Sequence, residues 1–293
     1  MAVEMTLDAE RAAVFADALV EAGAVSVDIT DASAGTDRER PLFLEPGEDL
    51  SFAWEDNRLV ALFGEETDLA PALAHASRIA GAPLPELRLA RVEDRDWVRL
   101  TQSQFTPIRV GARLWIVPGW HAAPDPSAIN VVLDPGVAFG TGAHPTTRLC
   151  LAWLEANLRP GASVIDYGCG SGILAIAAAK LGAGRVVGVD IDTQALEASR
   201  YNAARNCISA QFIPAQAPAP EAADVVVANI LSSPLKVLAP LLAGLVRPRG
   251  RIVLSGILAA QTQEMVDIYS KAFDVLPPTF DEGWVRIEGV KRA

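Results

Sequence analysis

The chain has 293 residues, of which 51% are hydrophobic and 21% are charged. This length favours two domains, and the composition excludes a disordered chain because it supplies enough apolar residues for buried cores. The formal net charge is −11, so we expect no direct binding to nucleic acid.

The N-terminus, MAVEMTLDAE, carries acidic residues where a secretory signal requires positive charge, and no apolar run approaches the roughly 18 residues of a membrane span. We therefore expect no membrane contact and a cytoplasmic location. The three cysteines, Cys150, Cys169 and Cys207, show no C-x-x-C spacing. Neither a disulfide framework nor a metal site is predicted.

Residues 1–92 are predicted to form a small α+β domain with the order β-α-β-β-α-β, as in a ferredoxin-like split unit. Its central strands are separated by an acidic loop at 31–50. It contains no catalytic group, and we interpret His75, in an alanine-rich helix, as a packed or surface residue. The predicted strands are 3–7, 26–30, 58–63 and 87–92, and the predicted helices are 9–22 and 67–79.

The negative charge is concentrated in this N-terminal third. Residues 1–100 contain 21 acidic residues, 9 arginines and no lysine, a net charge of −12, whereas the remaining residues sum to +1. Two interpretations stay open: an ordinary solubilising surface, or a docking surface for a basic partner.

Residues 93–106 are predicted to be a helical linker to a second domain at 107–293. This domain begins with one strand-like segment, Ile108–Val117, and reaches a glycine-rich passage, DPGVAFGTGAHPTT at 134–147, that leads into a helix. The hydroxyl of Thr147 can face a ligand, although a simple helix cap explains the passage as well.

The second domain is organised around residues 161–192. A β-branched strand, Ser163–Tyr167, stops at a glycine turn, 168–172, and a helix with apolar residues at helical spacing follows at Ile173–Leu181. Glycines allow positive φ and a close approach of the backbone to a ligand, and the first amides of the helix point into the same space. The unit predicts a nucleotide-binding turn, with an ordinary tight turn as the alternative.

Two carboxylates flank this turn. Asp166 precedes Gly168 and Gly170, where it can accept a hydrogen bond or offset a positive charge on a ligand. Asp190 ends the next strand, where an acidic residue holds ribose hydroxyls in doubly wound folds. The pattern D-x-G-x-G-x-G with Ile173 at the sixth position of the dinucleotide motif favours S-adenosylmethionine. An NAD-dependent dehydrogenase is the competing interpretation.

Strands and helices alternate through the rest of the chain, which predicts a parallel sheet. The predicted strands are 211–213, 224–228, 251–254, 273–276 and 284–290, with helices to 158, at 193–206, up to 246 and at 260–271. The last two strands are expected to form an antiparallel hairpin.

Asn229 follows the strand at 224–228, at the edge where this architecture places ligands. Its side-chain oxygen and the following carbonyls can accept hydrogen bonds from an amine. These bonds would aim the lone pair of the amine nitrogen along the methyl–sulfur axis. The alternative is that Asn229 only turns the chain and Ser233-Pro234 caps the next helix.

With these residues in view, the chain resembles the ribosomal protein L11 methyltransferase family (PrmA-type), most closely across residues 94–290. The resemblance rests on DWVR (96–99), FTPIRVGARLWIVPGWH (105–121), INVVLDPGVAFGTGAHPTT (129–147), VIDYGCGSGILAIAAAKLGA (164–183), VGVDID (187–192), VVVANIL (225–231) and LSGIL (254–258). It implies a seven-stranded Rossmann-like methyltransferase sheet. It also implies methylation of lysine side chains and the N-terminal amine of a basic large-subunit ribosomal protein.

The resemblance places cofactor contacts on Thr147, Gly168, Gly170, Asp190 and Asn229. Ser232-Ser233 departs from the small residues, such as Ala and Gly, that are frequent in relatives. This departure leaves the amine site open but does not fix its width. His144 is a conceivable base, but its neighbour Pro145 and the helix start favour a structural place. A binding module without catalysis is a third interpretation, against which an intact Asn229 argues.

Overall fold

The structure is a computed structural model, and it describes residues 1–36, 54–64, 66–91, 106–133 and 142–293. These residues fall into two units, one within Met1–Asp96 and one within Trp97–Ala293. Apart from Thr106, the predicted linker 93–106 lies outside the described residues, as does most of the acidic loop and of the passage at 134–147. Within the described ranges, no helix is long and apolar enough to span a bilayer.

The N-terminal unit has the predicted order of elements. They are β1 (Ala2–Leu7), α1 (Ala9–Glu21), β2 (Ser26–Asp31), β3 (Asn57–Leu62), α2 (Leu69–Ala80) and β4 (Leu87–Ala90). The sheet order is β2-β3-β1-β4, and all neighbours are antiparallel. This is the arrangement of a ferredoxin-like split unit, as predicted.

Local signals set the helix ends of this unit. The side chain of Asp8 accepts the Arg11 amide at 2.9 Å before α1, and Asp68 accepts the Ala70 amide at 3.2 Å before α2. Successive side chains of a strand point to opposite faces of the sheet. Alternate residues of these strands therefore face the helices and form one side of the core. Its most buried members include Val3, Met5, Phe15, Leu19 and Leu59.

The C-terminal unit opens with a small sheet of β5 (Ile108–Val110), β6 (Leu114–Pro118) and β7 (Ile129–Leu133). The prediction of a single strand from Ile108 to Val117 was wrong, because β5 and β6 form an antiparallel pair. Gly111, at φ +63°, reverses the chain between them. Glu155 accepts the Ala112 amide at 3.0 Å and so holds this turn.

The main sheet has seven strands in the order β10-β9-β8-β11-β12-β15-β13, and β14 pairs with β15 alone. The predicted seven-stranded methyltransferase sheet is confirmed, and β14 is an additional strand. The elements are α3 (Pro145–Asn157), β8 (Ser163–Tyr167), α4 (Ile173–Lys180), β9 (Arg185–Asp190), α5 (Thr193–Arg205), β10 (Gln211–Pro214), β11 (Ala223–Asn229), α6 (Ser232–Leu245), β12 (Val246–Leu258), α7 (Thr262–Tyr269), β13 (Phe273–Val275), β14 (Thr279–Asp281) and β15 (Trp284–Lys291).

The strands from β10 to β12 are parallel, and β15 runs antiparallel to both β12 and β13. The predicted closing hairpin is therefore a wider antiparallel arrangement, since β14 lies between its two strands along the chain.

The central strands are buried on both faces. Val225 and Val227 of β11 belong to one apolar cluster, whereas Val226 and Ala228 belong to a second cluster. Helices cover each face, which is the environment of a parallel sheet. The strand order reverses at β8, between β9 and β11, and this switch point is where such sheets bind ligands.

Candidate active site

The switch point brings the predicted site residues to one edge of the sheet. In the parallel ladders Asp166 of β8 pairs with Val227 of β11 and with Gly188 of β9. The glycine turn, Asp190 and Asn229 therefore follow three neighbouring strands at their carboxyl ends.

The glycine turn lies tightly against its surroundings. Gly168, Gly170 and Gly172 have φ values of +78°, +52° and +80°. A Cβ on Gly168 would lie 2.3 Å from Cγ2 of Ile230, so this position excludes every side chain. The amide of Gly168 donates to the Val189 carbonyl at 2.7 Å. The glycines thus let the backbone of the turn pack closely at this edge, as in nucleotide-binding turns.

Asp190 bonds this turn with one carboxylate oxygen and the segment after its own strand with the other. Oδ2 accepts the Gly170 amide at 2.8 Å, and Oδ1 accepts the Asp192 amide at 3.0 Å. The side chain remains partly exposed. Each carboxylate oxygen can accept a second hydrogen bond, so the same group can take ribose hydroxyls while it fixes the turn.

Asp166 is fully buried beneath the turn. Its Oδ2 accepts the amide of Ala175, in the first turn of α4, at 3.0 Å, and its Oδ1 has no hydrogen-bond partner among the described residues. Burial raises its pKa to about 7, the Ala175 hydrogen bond opposes this rise, and the charge of Asp190 adds to it. Asp166 therefore contacts the start of α4 from below the turn.

Asn229 and Thr147 meet at this edge. The side-chain amide of Asn229 donates to Oγ1 of Thr147 at 3.2 Å, and Thr147 lies buried in the first turn of α3. The carbonyl of Ile230 lies against Gly256, 2.2 Å from where a Cβ would stand. The Leu231 carbonyl accepts an amide in α6. The two carbonyls that follow Asn229 thus lie against other parts of the chain.

His144 is the N-cap of α3. Its Nδ1 accepts the Thr146 amide at 3.3 Å and lies 2.8 Å from the Thr146 hydroxyl. The ring contacts Trp284 edge-on, with centroids 4.8 Å apart. Burial lowers the pKa of His144, the charge of Arg148 lowers it further, and Glu282 raises it. This geometry gives His144 a structural task at the helix start.

The other residues singled out in the sequence lie away from this edge or inside the protein. Ser232 is fully buried at the start of α6, whereas Ser233 is exposed. Cys169 is buried within the turn, and burial raises its pKa. His75 contacts Arg78 on α2. Over the ranges that the structure describes, no group of three or more His, Cys, Asp or Glu side chains can hold a metal.

Two features of the site were missed in the sequence. Arg148 bonds both Asp281 and Glu282 at 2.9 Å and ties α3 to the β14–β15 turn. These partners are more than 130 positions away, so no local pattern signals them. In addition, one face of α5 carries polar side chains that bond the glycine turn. Their spacing along one helix face was visible in the sequence and could have identified them.

Comparisons with known proteins agree with this geometry. A sequence profile described as ribosomal protein L11 methyltransferase (PrmA) matches residues 1–292. A protein of that name from Laribacter hongkongensis is 56% identical over 292 residues, covering 99% of this chain and 98% of that protein. Another from Chromobacterium violaceum is 54% identical over 293 residues, with coverages of 99% and 98%.

A solved structure described as ribosomal protein L11 methylase from Lactobacillus delbrueckii subsp. bulgaricus superposes with a TM-score of 0.59 at 31% identity. The superposed region covers 64% of this chain and 100% of the chain in the solved structure.

Proposed function

The chain belongs to the ribosomal protein L11 methyltransferase family, and we propose that it transfers methyl groups from S-adenosylmethionine to lysine side chains and the N-terminal amine of ribosomal protein L11. The resemblance seen in the sequence is confirmed across the chain. One observation supports the chemistry above the others: Asn229 and Thr147 are hydrogen-bonded at the carboxyl edge of the sheet, beside the glycine turn.

The residues at this edge fit S-adenosylmethionine. The backbone of the turn lies against Ile230 where a Cβ on Gly168 would stand, the Asp190 carboxylate is held by two amides, and Thr147 carries a hydroxyl at the start of α3. We assign nucleoside binding to Gly168, Gly170 and Asp190, with Thr147 and Asn229 toward the reacting end. Asp166 supports these residues through its hydrogen bond to the Ala175 amide at the start of α4. The cofactor supplies a methyl carbon that is activated by its bond to a sulfonium.

The chain's own task is to present a neutral amine in line with the methyl–sulfur bond. A lysine amine has a pKa near 10.4 in water and is mostly charged at pH 7, so its proton must leave to water before attack. The side-chain oxygen of Asn229 can then accept an N–H of the amine and direct the nitrogen lone pair. Catalysis of this kind depends on positioning, because no protein group forms a covalent bond.

We assign substrate docking to the N-terminal domain, residues 1–92, and methyl transfer to residues 107–293. Apart from Glu4 and Asp31, the acidic side chains described in the N-terminal unit are exposed: Asp8, Glu10, Asp17, Glu21, Asp28, Glu55, Asp56, Glu66, Asp68 and Glu86. A surface of this charge attracts a lysine- and arginine-rich protein and repels nucleic acid. A ribosomal protein substrate also favours a cytoplasmic place of action.

The test is incubation of the purified chain with L11 and S-adenosylmethionine, followed by mass spectrometry of L11. We expect L11 to gain methyl groups at amines with wild-type protein and far fewer with Asn229→Ala. Calorimetry with S-adenosylmethionine and NAD separates the alternatives. Binding of NAD alone would support a dehydrogenase, and cofactor binding without any methylation would indicate a module that only binds.

A further inference from the structure

We propose that Ser199 and Asn202, on the buried face of α5, and Asn206, the C-cap of that helix, are positioning residues for the cofactor. They fix the peptide planes of the glycine turn and hold strand β7 in register with it. The proposal rests on the S-adenosylmethionine site assigned above. The three side chains are 0%, 2% and 6% exposed. Their spacing of three and four residues places them along one line of the helix.

The first two side chains bond the turn itself. Oγ of Ser199 lies 2.7 Å from the Gly170 carbonyl, to which it donates, and Nδ2 of Asn202 donates to the Ser171 carbonyl at 2.9 Å. The Ser199 hydroxyl also lies 2.9 Å from the Ala195 carbonyl of its own helix. A serine within a helix can donate to that carbonyl, and its single hydroxyl proton here has a nearer acceptor in the Gly170 carbonyl of the turn.

These two carbonyls decide where two amides point. The C=O and the N–H of a trans peptide point in opposite directions within one plane, and the described residues contain no cis peptide. When α5 holds the carbonyls of Gly170 and Ser171, the amides of Ser171 and Gly172 therefore face away from α5, and the Gly172 amide donates to the Cys169 carbonyl within the turn at 2.8 Å. Glycine allows such planes to flip at little steric cost, and the two side-chain contacts oppose the flip.

The third side chain connects the turn to β7. Asn206 accepts the Val132 amide at 2.9 Å with its Oδ1 and donates to the Val132 carbonyl at 2.6 Å with its Nδ2. It thereby bonds β7 as a neighbouring strand would. The same Nδ2 lies 2.8 Å from the carbonyl of Asn202. One helix therefore contacts both the glycine turn and β7.

The burial of three polar side chains on one helix face supports a positioning task. Apolar residues of similar size would pack α5 against the sheet without the cost of burying amides and a hydroxyl. Leu196 and Ala203 do so on the same helix, as members of the apolar cluster. The polar line therefore coincides with the part of α5 that faces the turn and β7.

The test compares Ser199→Ala, Asn202→Asp and Asn206→Asp with Leu196→Ala in the full chain. The two Asp variants keep shape and an acceptor but lose the donor to the Ser171 or Val132 carbonyl. Leu196→Ala makes a cavity on the same helix without removing a contact to the turn. We expect the three polar variants to bind S-adenosylmethionine about tenfold more weakly. Leu196→Ala should stay within about twofold of wild type even where it lowers the urea midpoint more.

A second measurement reports the peptide planes directly. The amide ¹H–¹⁵N resonances of Ser171 and Gly172 should shift or broaden in Ser199→Ala and Asn202→Asp, and should keep their positions in Leu196→Ala. Polar variants that are less stable but bind the cofactor as wild type does would overturn the inference and leave the proposed function intact. Wild-type protein that does not bind S-adenosylmethionine would overturn both.

Discussion

Asn229 and Thr147 are joined by a 3.2 Å hydrogen bond across 82 positions of the chain. This bond fixes the end of β11 against the first turn of α3, and it orients the Asn229 side chain. The geometry of the amine site thus depends on a residue that we assign to the cofactor site.

The first prediction concerns Asn229. Asn229→Ala should lower kcat for L11 methylation by about 10- to 100-fold, the equivalent of a well-placed hydrogen bond, and should change cofactor affinity much less. Stopped-flow or single-turnover rates and calorimetry on the same preparation separate the two quantities. Full turnover by the variant would show that Asn229 only turns the chain.

Thr147→Val is the matched control for the orienting bond. It keeps the shape of the side chain and removes the hydroxyl, so we expect a smaller loss in kcat than Asn229→Ala causes. If Thr147 acts through Asn229, the double variant should be little worse than Asn229→Ala. Fully additive losses would contradict this coupling.

The second prediction concerns Asp190. Asp190→Ala should weaken S-adenosylmethionine binding by about 1.5–3 kcal/mol, because charge-assisted hydrogen bonds are lost to the ribose and to the Gly170 amide. Asp190→Asn keeps one acceptor oxygen and should fall between Ala and wild type. Calorimetry on variants shown to be folded by circular dichroism measures this, and unchanged affinity in Asp190→Ala would refute the assignment.

The third prediction concerns Gly168. Gly161 has nearly the same φ, +80°, but a Cβ added there would meet nothing within 4 Å, whereas one on Gly168 would meet Ile230 at 2.3 Å. Gly161→Ala should therefore cost only the left-handed strain, about 1–2 kcal/mol of unfolding free energy. Gly168→Ala should cost more and abolish measurable cofactor binding. Urea unfolding and calorimetry compare the pair, and equal behaviour of the two would exclude a steric role for Gly168.

The fourth prediction is a pH dependence that arises from Asp166. Its pKa is raised to about 7 in the folded protein by burial, from 3.8. The folded state therefore binds more protons than the unfolded state between about pH 4 and pH 7, and the stabilising contribution of the protonated acid is lost as pH rises through this window. The slope from this one group is at most about 1.4 kcal/mol per pH unit.

Asp166→Asn tests this dependence, since it keeps an acceptor for the Ala175 amide and cannot ionise. Urea unfolding of both proteins from pH 4.5 to 7.5 should show the variant gaining relative to wild type as pH increases. A constant difference across that range would show that Asp166 does not titrate there.

The fifth prediction concerns the acidic surface. Glu10, Asp17 and Glu21 lie exposed on α1, at helical spacings that place them on one face. Their replacement by Gln, Asn and Gln should lower kcat/KM for L11 several-fold at low salt. The difference should vanish near 1 M salt, where the screening length falls to about 3 Å.

The matched control neutralises Glu197, Glu221 and Asp267, which are exposed in the C-terminal unit, with the same change in net charge. If the two triple variants change the methylation rate equally, the acidic residues of α1 contribute only to solubility.

The sequence predicted those parts of the molecule whose causes are local. The strand at Ser163–Tyr167 and the start of the next helix at Ile173 agree with the structure, because the residue period changes at three glycines. The place of Asn229 was predictable because the carboxyl ends of parallel strands share one edge.

The parts that were missed depend on contacts between distant residues. Gly111 could not be distinguished from a glycine inside a strand, because the alternation of apolar residues is the same on both sides of it. Asp166 stands where a carboxylate can face either a ligand or the protein interior, and its burial beneath the turn depends on the register of β8 with its neighbours. The hydrogen bond from Asn229 to Thr147 joins residues that are distant in sequence, and it depends on the assembled sheet to bring them together.

Strand β15 gives this unit a particular order of assembly. It lies between β12 and β13 in the sheet but follows both along the chain, and β14 pairs with no other described strand. Protein chains are synthesised from the N-terminal end, so β13 and β14 are made before their shared neighbour. Trp284, which packs on the cap of α3, is the first residue of that neighbour. Both β13 and β14 therefore join the main sheet only through β15, which pairs with β12.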